Sequence, residues 1–311
     1  MAITSHQNIT GTTDALQGPS VADFWQLLKP RVMSLVIFTG FAGMFLAPAD
    51  MHPLLFGISL FAIAAGAGAS GAINQWYDRD IDAIMLRTRN RPIPSGAVEP
   101  AEALSFGLVI SALSVLLLGL ASNWFAAGLL AFTIFFYGVV YSIWLKRRTP
   151  QNIVIGGAAG ALPPVIGWVA VTGTMPIEPL ILFAIIFMWT PPHFWALALV
   201  RNEDYQRANI PMMPVVAGAP ETRRQILIYA ALLAPLGVLP TLIGMSSVFY
   251  GLLAGVLGVN FIRLSWQLFR APSDDAARRL FGFSIIYLFL LFLALVVDQA
   301  LVAGQLLAGV I

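Results

Sequence analysis

Cysteine is absent from all 311 residues. That removes disulfides, thiolate zinc sites, iron–sulfur clusters and a cysteine nucleophile at one stroke. Charge is scarce as well. Only 10% of residues are Asp, Glu, Lys or Arg, and the net charge is +2; a soluble domain carries about 25% charged residues. With 59% hydrophobic residues and a mean hydropathy of +0.83, the chain is not an ordinary soluble domain. The same numbers exclude disorder, collagen and coiled coil. Residues 1–22 contain no Lys or Arg and no apolar core after a basic start. This segment reads as a mobile tail rather than a secretory signal or an Arg-rich transit peptide. Residues 23–311 then form one transmembrane domain.

What is present is long apolar runs. A bilayer core takes about 20 apolar residues as helix. Nine runs qualify, at about 32–48, 53–75, 102–121, 124–144, 152–172, 179–200, 225–245, 248–268 and 281–300. The expected fold class is therefore an all-α integral membrane protein of nine transmembrane helices. Two runs contain proline pairs, Pro163-Pro164 and Pro191-Pro192. These are expected to kink helices five and six, because proline removes a hydrogen bond and crowds the preceding turn.

Lys and Arg are also absent from every second loop. With the tail and the alternate loops on one side, that side receives all 17 basic residues. Arg263 lies inside the eighth run, near its cytoplasmic end, where a long side chain snorkels. The other side has only Asp50, Glu178 and Asp298. Basic residues stay cytoplasmic, so the N-terminus is expected in the cytoplasm. The long loops, 76–101 and 201–224, fall on that side too, and functional residues concentrate in such loops.

The first constellation leaves helix two: Asn74-Gln-Trp-Tyr-Asp78-Arg-Asp80-Ile-Asp82. Asn74, Asp78 and Asp82 are spaced i, i+4, i+8, which on a helix makes one oxygen-bearing stripe roughly 12 Å long. Hard cations take such oxygens, and Mg²⁺ pairs one or two carboxylates with phosphate oxygens and waters. Asp80 points elsewhere and reads as solvated. The plainer alternative is a hydrophilic helix end. Arg87, Arg89 and Arg91 follow at spacing two, stiffened by Pro92 and Pro94. Guanidinium forks suit phosphate, although the positive-inside rule alone also asks for basic residues here. Together the segments read as a metal–diphosphate site.

A second constellation, Arg201-Asn-Glu203-Asp204-Tyr205-Gln-Arg207, again joins carboxylates to arginines past a helix end. Glu203 and Asp204 are candidates for the other half of a metal cluster; by itself the segment also fits a solvated loop. In the third, Tyr141 to Thr149, Lys146 is a candidate for a diphosphate oxygen, against the alternative of an aromatic belt with snorkelling cations. His193 follows Pro191-Pro192 inside the sixth run. An intramembrane ionisable group is a functional candidate; a hydrogen-bonded packing histidine is the simpler alternative.

Nine spans, the NxxxDxxxD stripe and a second acidic loop together resemble the UbiA superfamily of intramembrane prenyltransferases, from about residue 25 onward. The segments Leu145–Gly157 and Pro191–Gly218 resemble its haem-modifying branch. One departure from the wider superfamily is that the second motif keeps only Glu203 and Asp204, with Arg201 and Tyr205 where more aspartates are usual. The resemblance implies a UbiA-type bundle with cytoplasmic active-site loops, in the bacterial inner membrane. It implies transfer of the farnesyl group of farnesyl diphosphate to a vinyl group of haem b, with water added. It implies Mg²⁺ on Asn74, Asp78, Asp82, Glu203 and Asp204. Arg87, Arg89, Arg91, Lys146 and Arg201 would then bind diphosphate, and His193 and Tyr205 would meet haem. A haem A synthase or a terminal oxidase is the implied downstream partner; nothing points to nucleic acid.

Three other readings compete. A relative with a hydroxybenzoate or naphthoate acceptor is nearest. A transporter would need polar residues through the full membrane thickness, whereas here charge gathers at one face. A structural assembly factor would leave the ordered acidic and basic pattern without a purpose.

Overall fold

The computed structural model describes residues 18–307, with side chains through Val302, and all of its regular structure is helical. The first helix, α1 (Val21–Leu27), starts from a capping box in which Ser20 and Asp23 satisfy each other's backbone. Val21 and Ala22, assigned to the tail from sequence, therefore open a helix; residues 1–17 of that tail lie outside the described residues. A 56° bend separates α1 from α2 (Pro30–Leu46). At the bend Lys29 adopts φ 53°, a left-handed conformation that side chains other than glycine seldom take.

The bundle continues with α3 (Pro53–Tyr77), the short α4 (Arg79–Ile84), α5 (Pro100–Ala121) and α6 (Trp124–Phe135). Beyond α6 the same span runs on as a π-helix over Phe136–Leu145. Next come α7 (Asn152–Ala161), α8 (Pro163–Thr172), α9 (Ile177–Val200), α10 (Asn202–Arg207) and α11 (Met213–Val216). The chain closes with α12 (Gly218–Leu242), α13 (Val248–Arg270) and α14 (Asp274–Leu307). Proline stands in the first turn of α2, α3, α5 and α8, where its missing N–H costs nothing.

Among the described residues, eight helices or helix pairs are long and apolar enough to cross a membrane, and nine if the bent α1–α2 pair forms one span. This is a multi-span membrane protein. Helix is the shape that satisfies every backbone group within its own segment, as lipid requires. Large apolar side chains such as Phe249, Leu120 and Val256 stay exposed on the outside of the bundle, which is where a bilayer would meet them.

The two proline pairs behave differently. Pro163-Pro164 interrupts the fifth span at Leu162, between α7 and α8. Pro191 and Pro192, by contrast, sit inside one continuous helix, α9. Their neighbour Thr190 donates its hydroxyl to the Ile186 carbonyl, one turn back.

Two apolar cores fill the bundle. One joins α9, α12, α13 and α14 around Trp195, Tyr287, Phe261 and Phe292; the other joins α2, α3, α5, α6 and α8 around Ile63, Leu118, Leu130 and Ile166. The α2–α8 seam is backbone to backbone. A Cβ on Gly43 would lie 2.0 Å from the Pro164 carbonyl oxygen, and one on Gly167 would lie 2.3 Å from that of Gly40. Small residues in a membrane helix permit this approach.

Candidate active site

The small-residue face of α3 admits the α1–α2 bend. A Cβ on Gly71 would meet the Leu27 carbonyl oxygen at 3.3 Å and the Lys29 side chain at 3.4 Å. One turn on, Gln75 donates to the Leu27 carbonyl at 2.9 Å, satisfying an acceptor that the end of α1 leaves open. The bend is thereby fixed, and Lys29 reaches across to donate from Nζ to Asn74 Oδ1 at 2.6 Å.

The predicted stripe is present in altered form. α3 ends at Tyr77 and α4 starts at Arg79, with Asp78 capping both. The helical bonds nevertheless carry across: Asp78 N–H donates to the Asn74 carbonyl at 2.9 Å, and Asp82 N–H to the Asp78 carbonyl at 2.8 Å. Asn74, Asp78 and Asp82 are all buried. Asn74 Nδ2 donates to Asp78 Oδ2 at 2.7 Å and to Ser142 Oγ at 3.0 Å. Ser142 belongs to the π-helix and donates to the Tyr137 carbonyl five residues back, at 2.8 Å. That wider turn also brings Lys146 onto Asp78, where its ammonium donates to Oδ2. Gly156 of α7 makes room for the segment: a Cβ there would lie 2.2 Å from Tyr141 Cδ2.

Each buried carboxylate has a cation. Asp78 has Lys146, Asp82 has Arg91 at 2.6 Å, and Asp204 has Arg207 at 2.5 Å. Asp78 Oδ1 is different: it is buried with no hydrogen-bond partner, and the nearest Arg147 nitrogen is 3.9 Å away. A buried anionic oxygen without a partner is costly and suits a hard cation.

Asp80 is not merely solvated, as the sequence suggested. Arg147 grips its carboxylate with two bonds of 2.6 and 2.7 Å, and those bonds hold the Asp80 carboxyl below the usual carboxylate range. The guanidinium also covers the Tyr77 ring at 4.7 Å.

The second acidic segment is drawn to the first by an apolar cluster. Ile81 and Met85 beside α4 pack with Ala208, Ile210, Met212 and Tyr205 of the α10 region, over Ile153 and Ala198. Within α10, Asp204 is buried while Glu203 is exposed, as is Arg201 just before the helix. Arg87 and Arg89 are exposed too and make no ion pair among the described residues. There, no three acidic or histidine side chains close around one point.

His193 is buried in α9, about two turns before its end at Val200. Its ring lies face-on between Trp189, at 4.2 Å, and Phe281, at 4.7 Å. Its Nδ1 lies 2.6 Å from Ser284 Oγ.

Sequence reasoning missed Lys29, Ser142 and Gln75 as members of the site. Lys29 showed only as one of the basic residues of the loop side. A lysine directly before Pro30 at a span's start was the available signal; nothing in the sequence marked Ser142 or Gln75.

The chain is thus an all-helical membrane bundle whose two polar segments pack together at one end. The chain belongs to the UbiA prenyltransferase family, whose profile matches residues 36–296. Within the family, two relatives match it over nearly their whole length. "Protoheme IX farnesyltransferase 2" of Mesorhizobium japonicum is 56% identical over 312 residues, covering 98% of this chain and 99% of that one. The protoheme IX farnesyltransferase of Beijerinckia indica is 61% identical over 286 residues, covering 91% and 88%. Among solved structures, one described as digeranylgeranylglyceryl phosphate synthase shares the fold with a TM-score of 0.75 at 19% identity, covering 90% of this chain and 98% of that one. A UbiA homologue from Archaeoglobus fulgidus, bound to GPP and Mg²⁺, does so at 0.63 and 17% identity, covering 88% and 99%.

Proposed function

We propose that this protein transfers the farnesyl group of farnesyl diphosphate to a vinyl group of haem b, with addition of water, to give haem O. The observation that carries the reading is the joining of both acidic segments at one end of the bundle, with a partnerless buried oxygen on Asp78. Near-full-length relatives with this activity in their names support the acceptor; they speak against a hydroxybenzoate or naphthoate acceptor. The working face is cytoplasmic, as is the N-terminus, on the strength of the one-sided basic residues, and the membrane is the bacterial inner membrane. Haem O then passes to a haem A synthase or a terminal oxidase.

The chemistry asks for a leaving group to be made good. Diphosphate departs with the electron pair of the C1–O bond, and its growing charge must be met. Asn74, Asp78, Asp82, Asp204 and Glu203 would hold Mg²⁺, which would supply that neutralisation. Lys146, Lys29 and Arg91 line the buried side and take further oxygens. Arg87, Arg89 and Arg201 are exposed, and so free to close on the diphosphate from outside. The apolar helices beneath hold the C15 tail and keep water from the allylic cation. The haem vinyl carbon attacks C1. The resulting cation, delocalised over the porphyrin, takes a water oxygen and releases a proton. His193 serves as a ligand to haem iron, since imidazole suits iron, and Tyr205 contacts the porphyrin.

The test is an acceptor competition. Purified protein with farnesyl diphosphate and Mg²⁺ receives haem b and 4-hydroxybenzoate together, and products are read by mass spectrometry. Farnesylated, hydrated haem is expected; prenylated hydroxybenzoate without a haem product would overturn the acceptor.

A further inference from the structure

His193 and Ser284 come from helices far apart in sequence, α9 and α14, and their contact is specific. Ser284 Oγ lies 2.6 Å from His193 Nδ1 and 2.6 Å from the Phe281 carbonyl oxygen. A serine hydroxyl has one hydrogen, and a carbonyl oxygen only accepts. The hydrogen must therefore point at Phe281, because otherwise two oxygens would face each other at 2.6 Å with nothing between them. Ser284 Oγ is then an acceptor toward His193, and Nδ1 carries the proton. In the neutral ring the remaining lone pair is on Nε2. Nε2 has no hydrogen-bond partner among the described residues and is not sealed from access.

The same part of α14 fixes the ring plane. Phe281 stacks on one face of the imidazole and Trp189 on the other. Trp189 is itself held, since its Nε1–H donates to the Ser284 carbonyl at 2.7 Å. One tautomer and one ring plane are thus set by three residues, two of them on the last span. An imidazole whose Nδ1–H is tied to an oxygen, with Nε2 open, is the arrangement that metal-ligating histidines share.

From this geometry we infer that Ser284 is a positioning residue for haem: it sets the His193 tautomer so that Nε2 meets the iron. The inference rests on the haem reading given above. It assigns the α9–α14 seam to the acceptor, apart from the Asp78 region that handles diphosphate. Ser284 does not touch the reacting atoms; it acts through His193.

The test uses full-length protein in detergent with haem b alone, without farnesyl diphosphate, and reads the iron–histidine stretch by resonance Raman alongside haem affinity. His193→Ala is expected to abolish the iron–histidine band. Ser284→Ala is expected to lower and broaden that band and to weaken haem binding by about 10-fold, the lower end of what loss of such a partner costs. Ser284→Thr, which keeps the oxygen, is expected to restore both. A Ser284→Ala band identical to that of the parent, with His193→Ala losing it, would overturn the positioning role and leave haem ligation standing. A band that survives His193→Ala would overturn ligation by His193 and the positioning role with it.

Discussion

Lys146 donates its ammonium hydrogen to Asp78 Oδ2, across 68 residues of sequence, and the carboxylate it meets is fully buried. The pair joins the π-helical end of the fourth span to the end of α3, and it leaves Asp78 Oδ1 without a partner. Lys146 is thus a resident countercharge on an oxygen pair suited to a divalent cation. A diphosphate that arrives with its metal offers Lys146 a replacement anion, so the exchange keeps charge balanced.

Metal and diphosphate should therefore bind together better than either binds alone. Mn²⁺, followed by its EPR signal, is expected to bind the parent protein weakly, and roughly 10-fold tighter with inorganic pyrophosphate present, a coupling of about 1.4 kcal/mol. Lys146→Met removes the competitor, so Mn²⁺ alone should bind more tightly than to the parent. Equal Mn²⁺ affinity in the two proteins would refute the exchange. Turnover by the variant should fall by about 100-fold, because a charge that meets the leaving group is gone.

Lys29 meets Asn74 from a strained backbone position. Lys29→Met should lower kcat/KM for farnesyl diphosphate by at least about 10-fold, the scale of one lost charge-assisted contact. The haem iron–histidine band should not move, since His193 lies elsewhere. Steady-state kinetics and resonance Raman on one preparation check both halves.

Removing the Gln75 amide should loosen the same bend. Gln75→Leu leaves the Leu27 carbonyl without its donor, at a cost of about 1–3 kcal/mol for a buried unsatisfied acceptor. A lower Tm is expected, together with a raised KM for farnesyl diphosphate through a displaced Lys29. A lower Tm with unchanged KM would mean that the bend does not position Lys29.

Gly43 tests the fold without touching the chemistry. Alanine there would place its methyl carbon 2.0 Å from the Pro164 carbonyl oxygen, so α2 and α8 must move apart. Overpacking of this kind typically costs about 1–3 kcal/mol. Gly43→Ala should melt earlier in detergent, whereas Gly57→Ala, with open space at its Cβ, should not.

Much of the fold was legible because lipid imposes simple rules. Run length marks the spans. The alignment of Asp78 with Asp82 was legible as well, since helical spacing survives the α3–α4 junction through its backbone bonds. Local departures were not. Pro191 and Pro192 carry the same signature as Pro163 and Pro164, yet only the latter pair interrupts a helix. The π-helix that points Ser142 and Lys146 at the site depends on packing against α7, at Gly156. Contacts such as Lys29–Asn74 and His193–Ser284 join distant segments, and spacing along one helix says nothing about them.

The most direct measurement incubates the purified protein with haem b and farnesyl diphosphate, with and without Mg²⁺, beside the Asp78→Ala variant, and follows haem products by mass spectrometry. The expected result is a farnesylated, hydrated haem that forms with Mg²⁺, disappears with EDTA and is lost in the variant by at least about 100-fold. A haem product that forms equally well without the metal, or in the absence of the Asp78 carboxylate, would contradict the role assigned to the buried site.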